Sequence, residues 1–161
     1  MLHGTTREDM AMETRTILLA VHIAMAAGWL GADLVQYVLA PRFAREGHEV
    51  QTAWARQLVW MHERYYAAVA ALLLASGVLL VLDGDWSWGS DFIWVGVGAI
   101  VGGATLGGGV LGNLSKKRLA ALEGGDAAEA AEAERRYLPI ALVVTVLPLL
   151  AILAMVDKWS L

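Results

Sequence analysis

Four long apolar runs constrain this chain more than any other feature. They cover residues 17–39, 65–82, 92–114 and 137–156. Each is close to the ~20 residues with which an α-helix, rising 1.5 Å per residue, crosses a ~30 Å hydrocarbon core. Strands are shorter, and backbone groups in lipid must bond within their own segment unless a closed barrel forms. The sequence therefore predicts an all-α integral membrane four-helix bundle, with residues 1–161 forming a single transmembrane domain.

The composition supports a membrane protein and excludes several other classes. Hydrophobic residues make up 58% of the chain, which is more than the surface of a small soluble domain allows. The absence of cysteine excludes disulfides, thiolate metal sites and iron–sulfur ligation. The net charge of −4 gives no sign of nucleic-acid binding. The lipid bilayer is thus the expected partner, and nothing indicates hydrolytic chemistry; whether the chain is an enzyme is left open.

Basic residues predict the orientation of the bundle. They concentrate in the segments 41–64 and 115–136, at Arg42, Arg45, Arg56, Arg64, Lys116, Lys117, Arg118, Arg135 and Arg136. The connection between the second and third runs carries three aspartates and no lysine or arginine. The positive-inside rule therefore predicts that both basic segments are cytoplasmic loops and that both termini lie outside the membrane.

Glycine is unusually frequent in the third run. The pairs Gly98/Gly102, Gly103/Gly107 and Gly108/Gly112 all have a four-residue spacing. Such small-xxx-small spacings allow two helix backbones to approach closely in lipid. Packing within the bundle is the favoured interpretation. The alternatives are a seam for a homo-oligomer or a larger complex, and a flat surface against a planar cofactor.

The first run carries a stripe of polar residues. From His22, steps of seven, eleven and fourteen residues reach Trp29, Asp33 and Gln36, all near whole turns of a helix. A charged side chain at the bilayer centre costs ~2.5–3.5 kcal/mol even on the gentler insertion scale. This face is therefore expected to look into the bundle.

Asp33 is the acidic residue of the stripe. Arg64, at the start of the second run, is expected at a similar depth, so the sequence predicts an Asp33–Arg64 ion pair. The pair would either lock two helices together or serve a proton relay or an anchor for an anionic group, assisted by Tyr37, Tyr65 and Tyr66.

His22 has two interpretations. It is either a neutral histidine bonded to a carbonyl or hydroxyl of a neighbouring helix, or an axial haem ligand. His62 belongs to the opposite end of the bundle, roughly twenty residues or ~30 Å away in depth, so one iron cannot bind both. Met155 is expected at a depth near His22 and is a candidate second ligand. Copper is a further alternative, although no cluster of methionine and histidine is apparent.

Five short motifs, which belong to three of the four helices, resemble a group of small bacterial membrane proteins. Val-His-Ile at 21–23, Trp-Leu-Gly at 29–31 and Pro-Arg-Phe at 41–43 look like that group's first helix. Residues 61–66, Met-His-Glu-Arg-Tyr-Tyr, resemble the start of its second helix, and residues 155–159 resemble the end of its last. The group includes the membrane-bound, haem-containing protoporphyrinogen oxidase, the copper resistance D domain and uncharacterised integral membrane proteins.

The resemblance implies a bacterial cytoplasmic membrane protein in which His22 binds haem b. It also implies that Trp29 belongs to the cofactor site and that Arg42 and Arg64 face carboxylates or propionates. The oxidase's third helix carries a lysine and histidines, whereas residues 92–113 of this chain carry none. The likeness is therefore to the uncharacterised relatives rather than to the oxidase itself.

Three functional hypotheses follow. The first is a haem b protein with a redox or porphyrin-handling role. The second is a non-enzymatic accessory subunit of a larger membrane complex, held through the glycine-rich helix. The third is a small transporter or copper-handling protein that uses Asp33 and His22, although no broken helix or inverted repeat is visible in the sequence.

Overall fold

The computed structural model describes residues 7–84 and 86–157, with side chains from Met12 onward, and these residues are helical almost throughout. The α-helices are α1 (Arg7–Phe43), α2 (His48–Trp60), α3 (Tyr66–Asp83), α4 (Asp91–Gly103), α5 (Gly112–Glu123) and α6 (Ala127–Asp157). Two π-helical segments, Met61–Tyr65 and Ala104–Leu111, join α2 to α3 and α4 to α5 without a break. Lys158 and Trp159 of the C-terminal motif lie outside the described residues.

The four spans expected from the sequence are present. In the described part of the chain, four continuous helices are long and apolar enough to cross a membrane: Met12–Phe43, His48–Asp83, Asp91–Glu123 and Ala127–Asp157. These helices run well beyond the apolar runs, so the two basic loops are mostly helical, and only residues 44–47 and 124–126 connect the helices there. The all-α fold is confirmed, and the location of the termini outside the membrane stays a prediction.

The α5–α6 connection is a tight turn centred on Gly125. Its φ of +77° lies in the left-handed region that glycine adopts without a steric penalty. The Asp126 amide donates to Ala121 O at 2.9 Å and the Gly125 amide donates to Leu122 O at 3.1 Å, which closes α5 as a Schellman motif. Asp126 Oδ1 then accepts from the Glu129 amide and caps α6. The turn therefore folds α6 back against α5.

The bundle is assembled from unequal helix contacts. α1 packs along α3, α2 packs along α5, and α6 packs along both α4 and α5, whereas α1 contacts α6 only lightly. The central cluster of buried residues comprises Trp29, Tyr66, Val69, Leu73, Leu111, Ala141 and Val144. Trp29 meets the ring of Tyr66 edge-on, with 5.6 Å between ring centroids, and so joins α1 to α3.

Two neighbouring glycines of the third span allow close approach within the bundle. A Cβ added at Gly103 would lie 3.0 Å from the Trp29 ring of α1. A Cβ added at Gly102 would lie 3.0 Å from Leu147 Cδ1 of α6. Gly103 is buried, whereas Gly102 is only half-buried. The two positions therefore face different helices, and Gly102 packs at the margin of the bundle rather than in its centre.

Of the other four glycines in the predicted pairs, two contact a neighbouring helix and two do not. Gly107 and Gly112 face Val144 and His62 at ordinary contact distances. Gly98 and Gly108 instead have no atom within 4 Å of an added Cβ, so packing inside the bundle does not require glycine at either position. Packing through Gly98 and Gly108, whether within the bundle or with a second chain, therefore stays a prediction.

Replacing Gly103 by leucine should destabilise the bundle, because the new side chain would collide with the buried Trp29 ring. Overpacking of this kind costs about 1–3 kcal/mol, and thermal unfolding in detergent would measure it. Gly109→Leu is the matched control, since a Cβ there meets nothing within 4 Å. Equal unfolding temperatures for the two variants would contradict this account of the packing.

Candidate functional site

The polar stripe of α1 lines two separate cavities. His22 lines a cavity of about 350 Å³ in the half of the bundle that holds the α3–α4 connection. Trp29, Asp33 and Gln36 line a larger cavity of about 710 Å³ in the other half. We call these the His22 cavity and the Asp33 cavity. Both volumes fall within the ~300–1,000 Å³ of ordinary small-molecule sites.

Hydrogen bonds fix the tautomer of His22. Its Nδ1 lies 3.0 Å from Ser76 Oγ. Ser76 Oγ in turn donates to Leu72 O at 2.6 Å, and its single proton is thereby used. Ser76 can then only accept from His22, so Nδ1 carries the ring proton and Nε2 keeps a lone pair. This is the arrangement in which a histidine ligates a metal through Nε2 while a second group orients its ring.

Met155 lines the same cavity as His22, as the sequence predicted from depth. Its Cε lies 2.8 Å from the position that a Cβ at residue 96 would occupy. A Cβ at residue 77 would lie 3.2 Å from His22 Cε1. Glycine at these two positions therefore makes room for the two candidate ligand side chains.

The residues of the His22 cavity fit a haem only in part. An imidazole with a free Nε2, a thioether and the basic side chain of Arg15 line a mainly apolar space, which suits iron ligation and a propionate. Within the described residues, no group of three or more histidine, aspartate or glutamate side chains is placed to hold a metal ion. The donor set therefore suits a haem, whose porphyrin supplies four nitrogens, better than a bare copper ion.

The other residues expected around a haem lie elsewhere. Trp29 lines the Asp33 cavity, not the His22 cavity. The side chains of Arg42 and Arg64 are exposed and line neither cavity. These two arginines stand at the opposite end of the bundle from His22, as the order of the residues along each span requires. Their proposed role toward propionates at His22 is therefore wrong.

The glycine pairs of the third span do not form a flat surface beside His22. None of their six members lines the His22 cavity, and only Gly103, Gly107 and Gly108 line the Asp33 cavity. Gly102 lines neither cavity, because its open side faces Leu147 of α6. The alternative of a glycine surface against a planar cofactor is therefore wrong at Gly102, and equally at Gly98 and Gly112, which line neither cavity.

Asp33 is held by neutral hydroxyl groups. The residue is only 8% exposed. Tyr66 donates its O–H to Oδ1 at 2.6 Å, and Thr145 donates to Oδ2 at 2.9 Å. Tyr37 lies 2.9 Å from Thr145 Oγ and donates to it, because the threonine proton is already directed at the carboxylate. Asp33 thus bonds to helices α3 and α6 through two hydroxyls.

A second chain of hydrogen bonds runs from His62 to Asp33. His62 Nε2 lies 3.0 Å from the Tyr137 hydroxyl, which donates to Gln36 Oε1 at 2.9 Å. Gln36 Nε2 donates to the Tyr66 hydroxyl, which donates to Asp33. Since Tyr137 uses its proton toward Gln36, His62 donates from Nε2 and its Nδ1 keeps a lone pair. Every donor in this chain points toward the carboxylate.

The predicted Asp33–Arg64 ion pair is not formed. Arg64 is exposed, and it takes part in none of the ion pairs within 4.0 Å that the described residues make. Arg64 precedes Tyr66 by two residues, which is roughly half a turn of helix. Because Tyr66 faces Asp33, Arg64 points away from it. The hydroxyls of Tyr66 and Thr145 take the role that the sequence assigned to a cation.

Several residues of the two sites were missed in the sequence. Ser76 orients His22, Thr145 and Tyr137 belong to the Asp33 network, and Arg118 lines the Asp33 cavity while 6% exposed. Ser76 and Thr145 are polar positions within apolar runs, which was a usable signal. Arg118 looked like an ordinary loop cation, because only the α5–α6 turn brings Glu134 to 3.2 Å from its guanidinium.

Comparison with known proteins identifies no relative: no family model, no curated protein and no solved structure matches the chain. The resemblance to the oxidase and copper resistance D group stays a hypothesis.

Thr145→Val should destabilise the bundle, because it removes an O–H donor from a buried carboxylate while preserving the side-chain shape. A buried group left short of a hydrogen bond costs about 1–3 kcal/mol, which thermal unfolding in detergent would register. Thr105→Val is the matched control, since Thr105 is exposed and donates to Val101 O of its own helix.

Arg64→Gln should change stability by no more than about 0.5 kcal/mol, as expected of an exposed side chain. If Arg64→Gln destabilised the protein as much as Thr145→Val, the result would support an Asp33–Arg64 ion pair and contradict the hydroxyl network.

Proposed function

We propose that this chain is a small integral membrane protein that binds haem b through His22 and serves a redox or porphyrin-handling role. The observation that carries the proposal is the orientation of His22. Its Nδ1–H is directed at Ser76, and its Nε2 lone pair is left for a ligand. His22 also shares its cavity with Met155, a second side chain of a type that binds haem iron.

The residues of the His22 cavity have distinct roles in this proposal. His22 binds the iron, and Ser76, itself anchored to Leu72 O, holds the imidazole plane. Met155 is the candidate sixth ligand, and Arg15 is the candidate partner of a propionate. The mainly apolar lining would lower the polarity around a bound haem, which favours the less charged redox state of the iron. When bound, haem b supplies one-electron redox chemistry.

We place the protein in the bacterial cytoplasmic membrane with the Asp33 cavity toward the cytoplasm. The support is the distribution of lysine and arginine, which favours the end with residues 44–47 and 124–126 as the inner one. In that orientation the His22 cavity lies toward the outer face. A haem there would stand on the side of the membrane opposite to the cytoplasm.

The absorption spectrum of the detergent-purified protein, expressed with haem available, tests the proposal directly. The wild-type protein should show a Soret band that shifts and sharpens on reduction with dithionite. His22→Ala should abolish it. His62→Gln should retain it, because His62 lines the other cavity. A colourless wild-type protein, or an unchanged band in His22→Ala, would refute haem ligation at His22.

Ser76→Ala should weaken haem binding without abolishing it. Loss of a group that orients a metal-bound histidine lowers affinity by about 10–100-fold. Haem titration of the apoprotein, followed at the Soret maximum, would give the two dissociation constants. An affinity equal to that of the wild type would show that Ser76 does not position the imidazole.

A further inference from the structure

Among the described basic side chains, Arg64 is the one whose position the rest of the chain does not explain. Most of the others form ion pairs within 4.0 Å: Arg56, Lys116, Lys117, Arg118, Arg135 and Arg136. Arg15 lines the His22 cavity, and Arg42 lies in the last turn of α1, where the helix dipole favours a cation. Arg45 belongs to the polar connection between α1 and α2. Arg64 is exposed, unpaired and inside a continuous helix.

Arg64 also lies at a depth where lipid is apolar. Its level follows from His22 of α1, whose ring lies 3.0 Å from Ser76 of α3. α3 runs antiparallel to α1, so Arg64, twelve residues before Ser76, is level with Leu34, twelve residues after His22. Leu34 is 61% exposed, and the apolar run of α1 continues for five residues beyond it. At 1.5 Å per residue, the Arg64 backbone therefore lies ~7 Å inside the end of that run.

The charge of Arg64 is not balanced by its own helix. The residues three and four positions before it, Met61 and Trp60, are uncharged, and those three and four positions after it are exposed alanines. The adjacent Glu63 is already paired with Lys116 at 2.8 Å. The local group of charges therefore has a net charge of one proton, carried by Arg64. An unbalanced cation facing lipid is costly unless its side chain extends to the interface and meets an anion there.

Trp60 supplies a second donor on the same surface. It lies four residues, or about one turn, nearer the end of the bundle than Arg64, and it is 51% exposed. The described residues offer its indole N–H no hydrogen-bond partner. Long helical side chains lean toward the N-terminus of their helix, so the Arg64 guanidinium leans toward the Trp60 ring. Indoles favour the membrane interface, which places these two donors at the level of lipid head groups.

We propose that Arg64 and Trp60 bind the phosphate of an anionic phospholipid whose head-group alcohol is uncharged, such as phosphatidylglycerol. Its phosphodiester carries one negative charge, which matches the one unbalanced cation, and its oxygens accept from the guanidinium fork and the indole N–H. A zwitterionic lipid would bring an ammonium group for which this surface offers no free carboxylate. The acyl chains lie along the same face of α3, past the exposed Ala68, Ala71 and Ala75. The proposal is independent of haem, because neither donor lines the His22 cavity.

Native mass spectrometry of the full-length protein in detergent tests the site, with phosphatidylglycerol and phosphatidylcholine of identical acyl chains as probes. The first phosphatidylglycerol should bind the wild type about tenfold more tightly than the first phosphatidylcholine, as expected of hydrogen bonds to a charged group. Arg64→Gln should reduce this preference to within about twofold. Arg56→Gln is the matched control, since it removes the same charge from an exposed arginine that already pairs with Glu123, and it should keep the preference.

Trp60→Phe keeps an aromatic ring but removes the indole N–H, and it should weaken phosphatidylglycerol binding about threefold. Equal affinities of the wild type for the two lipids, or a preference that survives Arg64→Gln, would overturn the proposal. Equal losses in Arg56→Gln and Arg64→Gln would overturn it too, because the overall charge of the protein would then explain the preference. Competition by glycerol phosphate would assign the donors to a soluble phosphate instead. A dimer of the wild type that Arg64→Gln disperses would assign Arg64 to a carboxylate of a second chain.

Discussion

The structure depends on one buried carboxylate. Asp33 lies in the last third of a helix that is long and apolar enough to cross a membrane, and it is almost inaccessible, so that it would be costly if unpaired. Its partners come from two other helices, Tyr66 of α3 and Thr145 of α6. α1 packs along α3, but its contact with α6 is otherwise slight, so the bond from Thr145 is a main link between α1 and α6. The same network extends through Gln36 and Tyr137 to His62, which fixes the ring of a residue on the π-helical segment.

The network also divides the bundle into two chemical environments. On one side of the network, in the half with the Asp33 cavity, polar side chains are frequent and Arg118 pairs with Glu134. On the other side of the network, His22 and Met155 line a smaller and more apolar cavity. Trp29, packed against Gly103 and Tyr66, belongs to the buried cluster between these halves.

The fold could be predicted from the sequence, and the pairing of side chains largely could not. Run length and the physics of backbone groups in lipid require four helices whatever the details. Helical periodicity likewise placed His22, Trp29, Asp33 and Gln36 on one inward face. It could not place Arg64 correctly, because the half turn between Arg64 and Tyr66 matters only once the rotation of α3 against α1 is known. Arg118 became buried through the α5–α6 turn, which brings Glu134 of α6 beside it, a tertiary feature that the composition does not specify.

The glycine spacing shows the same limit of prediction from the sequence. A four-residue repeat predicts that small residues share a helix face, but it does not say which neighbour that face meets. Gly103 meets the Trp29 ring, whereas Gly102, one residue earlier, is half-buried and meets Leu147. Only the rotation of the third span against α1 and α6 separates these two roles.

The double-mutant cycle of Tyr66→Phe and Thr145→Val tests the central claim, that both hydroxyls act on the same carboxylate. The unfolding free energy of each variant in detergent would be compared with that of the double variant. Shared action on Asp33 predicts losses that depart from additivity by about 0.5–3 kcal/mol, and predicts that Asp33→Leu removes this coupling. Losses that add within about 0.5 kcal/mol would mean that Tyr66 and Thr145 act independently, and the account of the buried carboxylate would be wrong.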